Sequence, residues 1–230
     1  MRLIPIKPAP HQCGYFDDRM ATYESFLLLE ATEMEREMLL ANGYRSFGKY
    51  VFKPRCEGCS ACTPIRVPAE TFVPSKSQRR TLKKCRDIIV TINKPQYTPE
   101  KFEIYKDHLK RFNRPEDTHE VNQFIESFYD PDIPSVEMCY WKDSVLIAVG
   151  IVNVTPHALS SVYFMYRLDY AEYSLGTFSV MKEIEYALDL GKKHLYLGYY
   201  IADNHFMRYK GDFRPNEILT SSKRWMAFRC

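Results

Sequence analysis

The order of regular segments that begins at residue 88 is the strongest constraint on the fold. A strand pattern at IIVTIN is followed by two helical patterns, TPEKFEIYKDHLKRF and PEDTHEVNQFIESFY. Three strand patterns come next, VEMCYW, VLIAVGIVNV and LSSVYFMY, and then a helix over LGTFSVMKEIEYALDLG. The strand HLYLGYYI, a short helical piece at HFMRYK and a last strand over ILTSSKRW complete the order. The pattern predicts an α+β fold with a mixed sheet flanked by helices.

This order of elements resembles that of the acyltransferase fold named for the GCN5-related N-acetyltransferases (GNAT). We therefore predict a GNAT-like acyltransferase domain over 88–230 and a smaller cysteine-bearing portion with a basic helix over 1–87. In the smaller portion, ATYESFLLLE is a predicted strand and EMEREMLLAN a helix that ends at Gly43. No Gly/Ser linker separates the two portions, so we expect them to pack together.

Composition indicates a globular protein of the cytoplasm. Hydrophobic residues make up 45% and charged residues 27% of the 230 residues, and the longest apolar run falls short of the roughly 20 residues of a membrane helix. The N-terminal MRLIPIKPAPH lacks the apolar region of a secretory signal. We expect a cytoplasmic location and no membrane contact, while the oligomeric state is not indicated.

Three cysteines spaced three apart, Cys56, Cys59 and Cys62, indicate a metal or reactive site in a reducing compartment. A closed tetrahedral site needs four ligands, and Cys13 in HQCGYF is the best candidate for the fourth. The site would hold a structural zinc ion or an iron–sulfur cluster. The alternative is that these thiols are reduced and half-buried, and that their small size lets the loop pack.

A cationic stripe is predicted on the helical segment SQRRTLKKCRD. Lys76, Arg79, Arg80, Lys83 and Lys84 follow the spacing i, i+3, i+4, i+7 and i+8, which places them on one helix face. No acidic residue lies within 75–86, so the usual ion pairs along a helix are missing and the like charges repel. A polyanion such as RNA would relieve that repulsion. The alternative is an ordinary solvated helix surface.

Several motifs in a fixed order resemble the bacterial aspartate/glutamate leucyltransferases, relatives of the eukaryotic arginyl-tRNA protein transferases. They are HQCGYF, LLANGYRSFGKYVFKPRCEGCSACTPIRV, FVPSKSQRR, SLGTFSVMKEIEYAL, LYLGYYI and MRYKGDFRP, and they span nearly the whole chain. The resemblance implies transfer of an amino acid, leucine in the bacterial relatives, from aminoacyl-tRNA to the N-terminal amine of proteins that begin with Asp or Glu. It also implies that this transfer marks the acceptor for degradation by the N-degron route. Eukaryotic relatives can hold an iron–sulfur cluster through an N-terminal cysteine pair and an adjacent pair further on. This sequence departs from that arrangement, because Phe16 stands where the second cysteine of the first pair would be.

The start of the central helix is the predicted site for the 3′ end of the tRNA. In GNAT-like folds the phosphates of the acyl carrier lie at this helix terminus, which here comprises Ser174, Leu175, Gly176 and Thr177. A single glycine is too few for the usual coenzyme A loop. The alternative is that Ser174 acts as a plain N-cap.

The reaction requires positioning of the reactants more than a strong general base. The aminoacyl ester is already activated, and an α-amine with a pKa of roughly 7.7 to 8.0 is partly neutral at physiological pH. We expect direct attack by the amine, oxyanion stabilisation and no required cofactor. The candidates near the reacting ester are Tyr199, Tyr200, Asp203, Tyr209 and Lys210. For an acidic acceptor side chain, Arg45 or Arg66 is the predicted partner.

Two other functions remain open at this point. One is an acetyl-CoA-dependent N-acetyltransferase, which the thin phosphate loop and the basic stripe disfavour. The other is a non-enzymatic RNA-binding module stabilised by metal. Whether leucine or arginine is donated, and which metal is bound, are not indicated by the residues.

Overall fold

A computed structural model describes residues 1–112 and 120–228. The strands are β1 (Arg2–Ile6), β2 (His11–Gln12), β3 (Met20–Ala21), β4 (Tyr23–Glu30), β5 (Arg45–Phe47), β6 (Tyr50–Pro54), β7 (Thr63–Pro68), β8 (Ile89–Asn93), β9 (Ser135–Lys142), β10 (Val145–Val154), β11 (Ala158–Tyr166), β12 (His194–Tyr200), β13 (Glu217–Leu219) and β14 (Trp225–Ala227). The helices are α1 (Glu33–Ala41), α2 (Lys76–Lys84), α3 (Pro99–Leu109), α4 (Val121–Phe128) and α5 (Leu175–Asp189).

The N-terminal residues form a four-stranded antiparallel sheet with the order β1-β4-β6-β5. Helix α1 follows β4 and begins with a capping box, in which Thr32 accepts from the Glu35 amide and Glu35 accepts from the Thr32 amide. The helix ends before Gly43, whose φ of +82° is in the left-handed region that glycine favours. The predicted helix end is therefore confirmed.

The large sheet has eight strands in the order β14-β13-β7-β12-β11-β10-β9-β8. All neighbours are antiparallel except β11 and β12, so the sheet is mixed and the predicted α+β class is confirmed. Strand β7 comes from before residue 88 yet lies between β12 and β13. The sheet therefore crosses the predicted boundary between 87 and 88, and the division into two portions at that boundary stays a prediction.

Helices cover both faces of the large sheet. Along β9 the side chains alternate, so that Met138 packs in the cluster that contains α5 while Cys139 packs in the cluster that contains α3 and α4. The first cluster includes Phe178 and Ile184 of α5 and is the larger of the two. Within the described ranges, no helix combines the length and apolar character needed to cross a membrane.

The predicted segments match the structure except near the C-terminus. The last predicted strand, ILTSSKRW, is wrong: it is a hairpin of β13 and β14, because a turn with Lys223 at φ +58° interrupts it. The predicted piece at HFMRYK is a 3-10 turn over Arg208–Asp212. Helix α4 begins at Val121, and residues 115–119 of the second predicted helix lie outside the described residues.

Candidate active site

A gap between two parallel strands marks the candidate site. Strands β11 and β12 pair with each other only from Ala158 and His194 to Ser160 and Tyr196 in the described residues, while β11 stays paired with β10 and β12 with β7. An irregularity in the pairing of β12 with β7 falls between Tyr196 and Gly198, where the strands begin to part. We call the gap between residues 161–166 of β11 and 197–200 of β12 the fork. Backbone groups that leave a ladder in this way need other partners.

Arg45 of β5 reaches from the N-terminal sheet to the inner end of the fork. Its Nη1 donates a hydrogen bond to Ser160 Oγ at 2.6 Å, and its Nη2 donates to the Ser161 carbonyl. On the opposite strand, Gly198 has a φ of +83°, and a Cβ placed there would lie 3.2 Å from Arg45 Nε. Glycine at this position leaves room for the guanidinium. Arg45, predicted to bind the acceptor, thus lies at the fork.

A buried carboxyl lies beside the fork on α5. Glu183 is fully buried, and its Oε1 accepts a hydrogen bond from Ser161 Oγ at 3.2 Å. Its Oε2 has no hydrogen-bond partner in the described part of the chain. Burial raises the pKa of Glu183 to about 8, and the hydrogen bond from Ser161 and the charges of Arg45 and Lys210 oppose that rise.

Lys210 brings a second cation to the same place. Its Nζ donates a hydrogen bond to the Tyr199 carbonyl at 3.3 Å, at the end of β12. Burial and the charge of Arg45 lower the pKa of Lys210 to about 7, while Glu183 opposes the shift. Two basic groups and one acidic group therefore share this part of the fold.

The aromatic candidates have different settings. Tyr199 and Tyr200 lie on opposite faces of β12, as predicted: the Tyr199 hydroxyl donates to the Gly43 carbonyl at 3.0 Å, and the Tyr200 ring packs edge-on against Phe228. Burial raises the pKa of both Tyr199 and Tyr209. The interaction with Gly43 gives Tyr199 a structural role between the two sheets.

Tyr209 lies near Glu183, and Asp203 lies apart. The Tyr209 phenol is close enough for the Glu183 carboxylate to raise its pKa further, after burial. Asp203 is exposed in the turn after β12, where its charge acts on Arg19. Among the five predicted catalytic residues, Lys210 and Tyr209 are therefore the two whose side chains lie near the buried carboxyl.

Arg66 of β7 has its own partners. Its Nε pairs with Glu217 Oε2 at 2.7 Å, its Nη1 donates to the Tyr196 hydroxyl at 3.0 Å, and its guanidinium lies 4.4 Å from the Trp225 ring. Only 15% of the side chain is exposed. The structure thus holds Arg66 in a packed ion pair and does not direct it to the fork.

The start of α5 differs from a plain N-cap. Ser174 occupies the cap position with φ +54° and ψ +44°, and its side chain makes no capping hydrogen bond. The alternative of a side-chain cap at Ser174 is therefore wrong, because a left-handed residue does not aim its hydroxyl at the first-turn amides. Gly176 faces open space, with no atom of the described residues within 4 Å of the position that a Cβ would occupy. The Thr177 amide donates to the Ser174 carbonyl. Anion binding here stays a prediction.

The basic helix is confirmed as α2, and all five stripe residues are exposed. Lys84 Nζ pairs with Glu172 Oε2 at 3.1 Å, whereas Arg80, Lys83, Lys84, Arg86 and Asp87 line an open, mainly cationic cleft. On the opposite side of α2, buried Gln78 donates its Nε2 to the Asp212 carbonyl at 3.2 Å. That bond ties the stripe to the 3-10 turn that carries Lys210.

The four cysteines lie close enough together for three of them to raise the pKa of the fourth, Cys62, but they do not form a closed metal site in the described residues. Burial raises the pKa of Cys62 to about 12, with further contributions from Cys13, Cys56 and Cys59. Arg19 Nη1 donates to Cys59 Sγ at 3.5 Å. Over residues 1–112 and 120–228, no three Cys, His, Asp or Glu side chains are grouped so that they could hold a metal ion. The four thiols are therefore not arranged as a preformed zinc or cluster site in the described residues. Metal binding stays a prediction, and no step of the proposed reaction depends on it.

Sequence reasoning missed Glu183 and Ser161. The signal for Glu183 is present, since it lies three residues after Val180 and four before Ala187, on the apolar face of α5. A carboxylate at such a position is expensive to bury unless it has a use or a partner. Ser161 carries no comparable signal, because serine is common in strands and turns alike.

Comparison with known proteins assigns the family. Residues 11–80 match the model for the N terminus of arginine-tRNA-protein transferase, and residues 100–220 match the model for its C terminus. Together the two matches cover most of the chain. They define an aminoacyltransferase that uses charged tRNA, and the chain belongs to this family. The resemblance inferred from the motifs and the prediction of an enzyme are confirmed.

Similarity to individual proteins supports the same family assignment. The chain is 33% identical over 224 residues to the aspartate/glutamate leucyltransferase of Helicobacter hepaticus, which covers 95% of this chain and 93% of that protein. It is also 33% identical to the aspartate/glutamate leucyltransferase of Pseudomonas syringae pv. syringae, over 94% and 93%. Among solved structures it is similar to FemX (TM-score 0.49, 11% identity, 80% and 64% coverage) and to L-PGS from Bacillus licheniformis (TM-score 0.49, 11% identity, 79% and 54% coverage).

Proposed function

We propose that the chain transfers leucine from leucyl-tRNA to the N-terminal amine of proteins that begin with Asp or Glu. The observation that carries the proposal is the fork, where Arg45, Lys210 and Glu183 gather at the point at which two parallel strands part. The names of the relatives supply the donor and the acceptor class. The element order around the fork supports a GNAT-like acyltransferase fold, with the cysteine-bearing residues as a smaller N-terminal portion.

The reaction exchanges an ester for an amide. The neutral α-amine attacks the ester carbonyl carbon, the new C–N bond forms and the bond from that carbon to the tRNA 3′-oxygen breaks. The amine loses one proton and the 3′-oxygen gains one. Lys210 is our candidate for stabilising the oxyanion, because its Nζ lies at the end of β12 beside the fork and can donate hydrogen bonds there.

The acidic acceptor side chain is assigned to Arg45. Of the two predicted arginines, Arg66 is committed to Glu217, whereas Arg45 lies at the fork with carbonyl and hydroxyl partners rather than a carboxylate. A guanidinium has five donors, so Arg45 can bind a carboxylate in addition to Ser160 and Ser161.

A cavity beside Arg45 supports leucine over arginine as the donor. It is mainly apolar, with Leu39, Leu40 and Val51 among its lining residues. Its described lining includes Arg36 and Arg45 and no acidic residue. The polarity of this lining suits a leucyl side chain, whereas an arginyl side chain would meet two like charges.

The stripe on α2 is our candidate for docking the acceptor arm of the tRNA. Its exposed cations suit contacts to phosphates, which give affinity without sequence choice. The Gln78 bond to the Asp212 carbonyl holds this surface next to the Lys210 turn. We place the activity in the cytoplasm, where it would direct its acceptors to the N-degron route.

Peptides that differ only in their first residue test the proposal. Asp-, Glu- and Ala-initiated peptides are incubated with leucyl-tRNA, arginyl-tRNA or acetyl-CoA, and the products are weighed by mass spectrometry. We expect a gain of one leucyl residue on the Asp and Glu peptides alone. Arginyl addition would overturn the donor assignment, an acetyl gain would indicate the acetyltransferase, and addition to the Ala peptide would overturn the role of Arg45.

A further inference from the structure

Glu183 is an exceptional carboxyl within this protein. It is 0% exposed, one of its oxygens has no partner in the described residues, and no cation of those residues lies within ion-pair distance. Buried polar atoms are nearly always hydrogen-bonded, and an orphaned one is costly. A carboxyl in this state needs an explanation.

Glu137 shows how the same sheet treats a structural carboxylate. It is 3% exposed, and Lys101 Nζ lies 2.6 Å from its Oε1 and 2.8 Å from its Oε2. The Gln96 amide donates to it as well. Both oxygens of Glu137 are therefore satisfied, as a buried ion pair requires. Glu183 lacks this arrangement although basic groups are near.

The one hydrogen bond of Glu183 leads to the fork. Ser161 is half-buried, and its hydroxyl donates to Glu183 Oε1 at 3.2 Å while its carbonyl accepts from Arg45. Ser161 is also the first residue of β11 beyond the last paired position, Ser160. The hydroxyl thus connects the place where the strands part with the buried carboxyl behind it.

We propose that Ser161 and Glu183 form a proton relay for acyl transfer. The Glu183 carboxylate accepts, through the Ser161 hydroxyl, the proton that the attacking amine loses, and returns it by the same route to the 3′-oxygen as the ester bond breaks. The proton count balances, and no other reactant is needed. Ser161 is the catalytic residue of the pair and Glu183 acts through it. The relay rests on the proposed function.

The electrostatic setting suits this role. Burial raises the pKa of Glu183 to about 8, which matches the roughly 7.7 to 8.0 of an α-amine, and proton transfer is most effective between groups of similar pKa near the working pH. The charged and titratable groups that act with Glu183 are Arg45 from β5, Lys210 and Tyr209 from the turn after β12, and Tyr140 from β9.

Single-turnover transfer from saturating leucyl-tRNA to an Asp-initiated peptide tests the relay. General acid–base catalysis contributes about 10²- to 10⁴-fold, so we expect Glu183→Gln and Ser161→Ala each to slow transfer at least about 100-fold with unchanged tRNA affinity. The double variant should be no slower than the slower single one, because the two residues act as a unit. Ser161→Thr keeps the hydroxyl and should restore most of the rate.

Ser179→Ala is the matched control. Ser179 is buried on α5 as Glu183 is, and its hydroxyl donates to the Gly176 carbonyl. We expect this variant to transfer leucine at nearly the wild-type rate. Thermal unfolding of every variant separates loss of the relay from loss of the fold. If Glu183→Gln does not fold, the Ser161→Ala and Ser161→Thr pair decides.

The pH profile gives a readout that a structural role would not move. Both the amine and Glu183 must be deprotonated in the relay, so below pH 7 the logarithm of the wild-type rate should rise with pH at a slope of about two. Glu183→Gln removes one of the two required deprotonations, so the slope over the same pH range should fall to about one. A wild-type rate in Glu183→Gln, equal slopes, or a Ser161→Thr as slow as Ser161→Ala would overturn the relay. Leucyl transfer by the wild type would leave the proposed function intact in each case.

Discussion

Replacing Gly198 with alanine tests how the fork holds Arg45. The new Cβ would lie 3.2 Å from Arg45 Nε and 3.3 Å from Cζ, so the guanidinium must move by a few tenths of an ångström. An alanine at φ +83° adds backbone strain of about 1–2 kcal/mol. Loss of the hydrogen bond to Ser160 would add about 1–3 kcal/mol, because the guanidinium is a charged donor.

Gly191→Ala is the control for backbone strain alone. Gly191 has a φ of +63°, and in the part of the chain that the structure describes no atom lies within 4 Å of a Cβ built there. In urea unfolding we expect Gly198→Ala to lower the free energy of unfolding by at least about 1 kcal/mol more than Gly191→Ala. The shift of Arg45 should also lower transfer to Asp-initiated peptides by up to about 10-fold, since misplacement by about 1 Å can cost about 100-fold and this shift is smaller. Equal losses of stability and unchanged transfer in both variants would mean that Gly198 does not make room for Arg45.

Four further outcomes are expected. Lys101→Met should lower the free energy of unfolding in urea by about 3–5 kcal/mol, since it strands a buried carboxylate. Charge reversal of Arg79 and Arg80 should weaken tRNA binding and flatten the log–log salt dependence by nearly 2 in a fluorescence titration. Cys59→Ser should reduce the metal content of anaerobically prepared protein, as measured by inductively coupled plasma mass spectrometry, together with its melting temperature. Burial raises the pKa of Glu183 to about 8 in the folded state, so between about pH 4.3 and 8 the folded state binds one proton more than the unfolded state. The free energy of unfolding should therefore fall as pH rises through this range. Glu183→Gln should flatten that dependence in unfolding experiments at a series of pH values.

Each of these expectations has a contradicting result. A loss of less than about 1 kcal/mol in Lys101→Met would mean that Lys101 is not the main partner of the Glu137 carboxylate. An unchanged salt slope would make the α2 stripe an ordinary surface. A wild-type protein without metal would leave the four cysteines as packed thiols. A pH dependence of stability that the glutamine variant retains would assign that dependence to other groups.

The order of elements was predictable because hydrophobic periodicity is local. Helix α2 and its stripe follow from the spacing of Lys76 to Lys84 alone, and the opposite faces of Tyr199 and Tyr200 follow from strand geometry. Only the C-terminal hairpin was mistaken, since ILTSSKRW has no glycine or proline to announce its turn.

Pairing between distant segments could not be predicted from local sequence patterns. Strand β7 pairs with β12, more than 120 residues later, and no local feature of Thr63–Pro68 indicates that partner. The fork is also assembled from distant segments: Arg45 meets Ser160 and Ser161 across two sheets. Arg45 was singled out from a motif, but its neighbours were not, because burial of Glu183 and the parting of β11 and β12 exist only in the folded chain.

The most direct test of acyl transfer at the fork is a crystal structure with 3′-leucylamido-adenosine, in which an amide replaces the reactive ester. We expect the amide carbonyl to lie in the fork, within hydrogen-bond reach of the Ser161 hydroxyl and Lys210, and the leucyl side chain to lie in the cavity beside Arg45. Occupancy at the α2 cleft or the cysteine loop with an empty fork would contradict it.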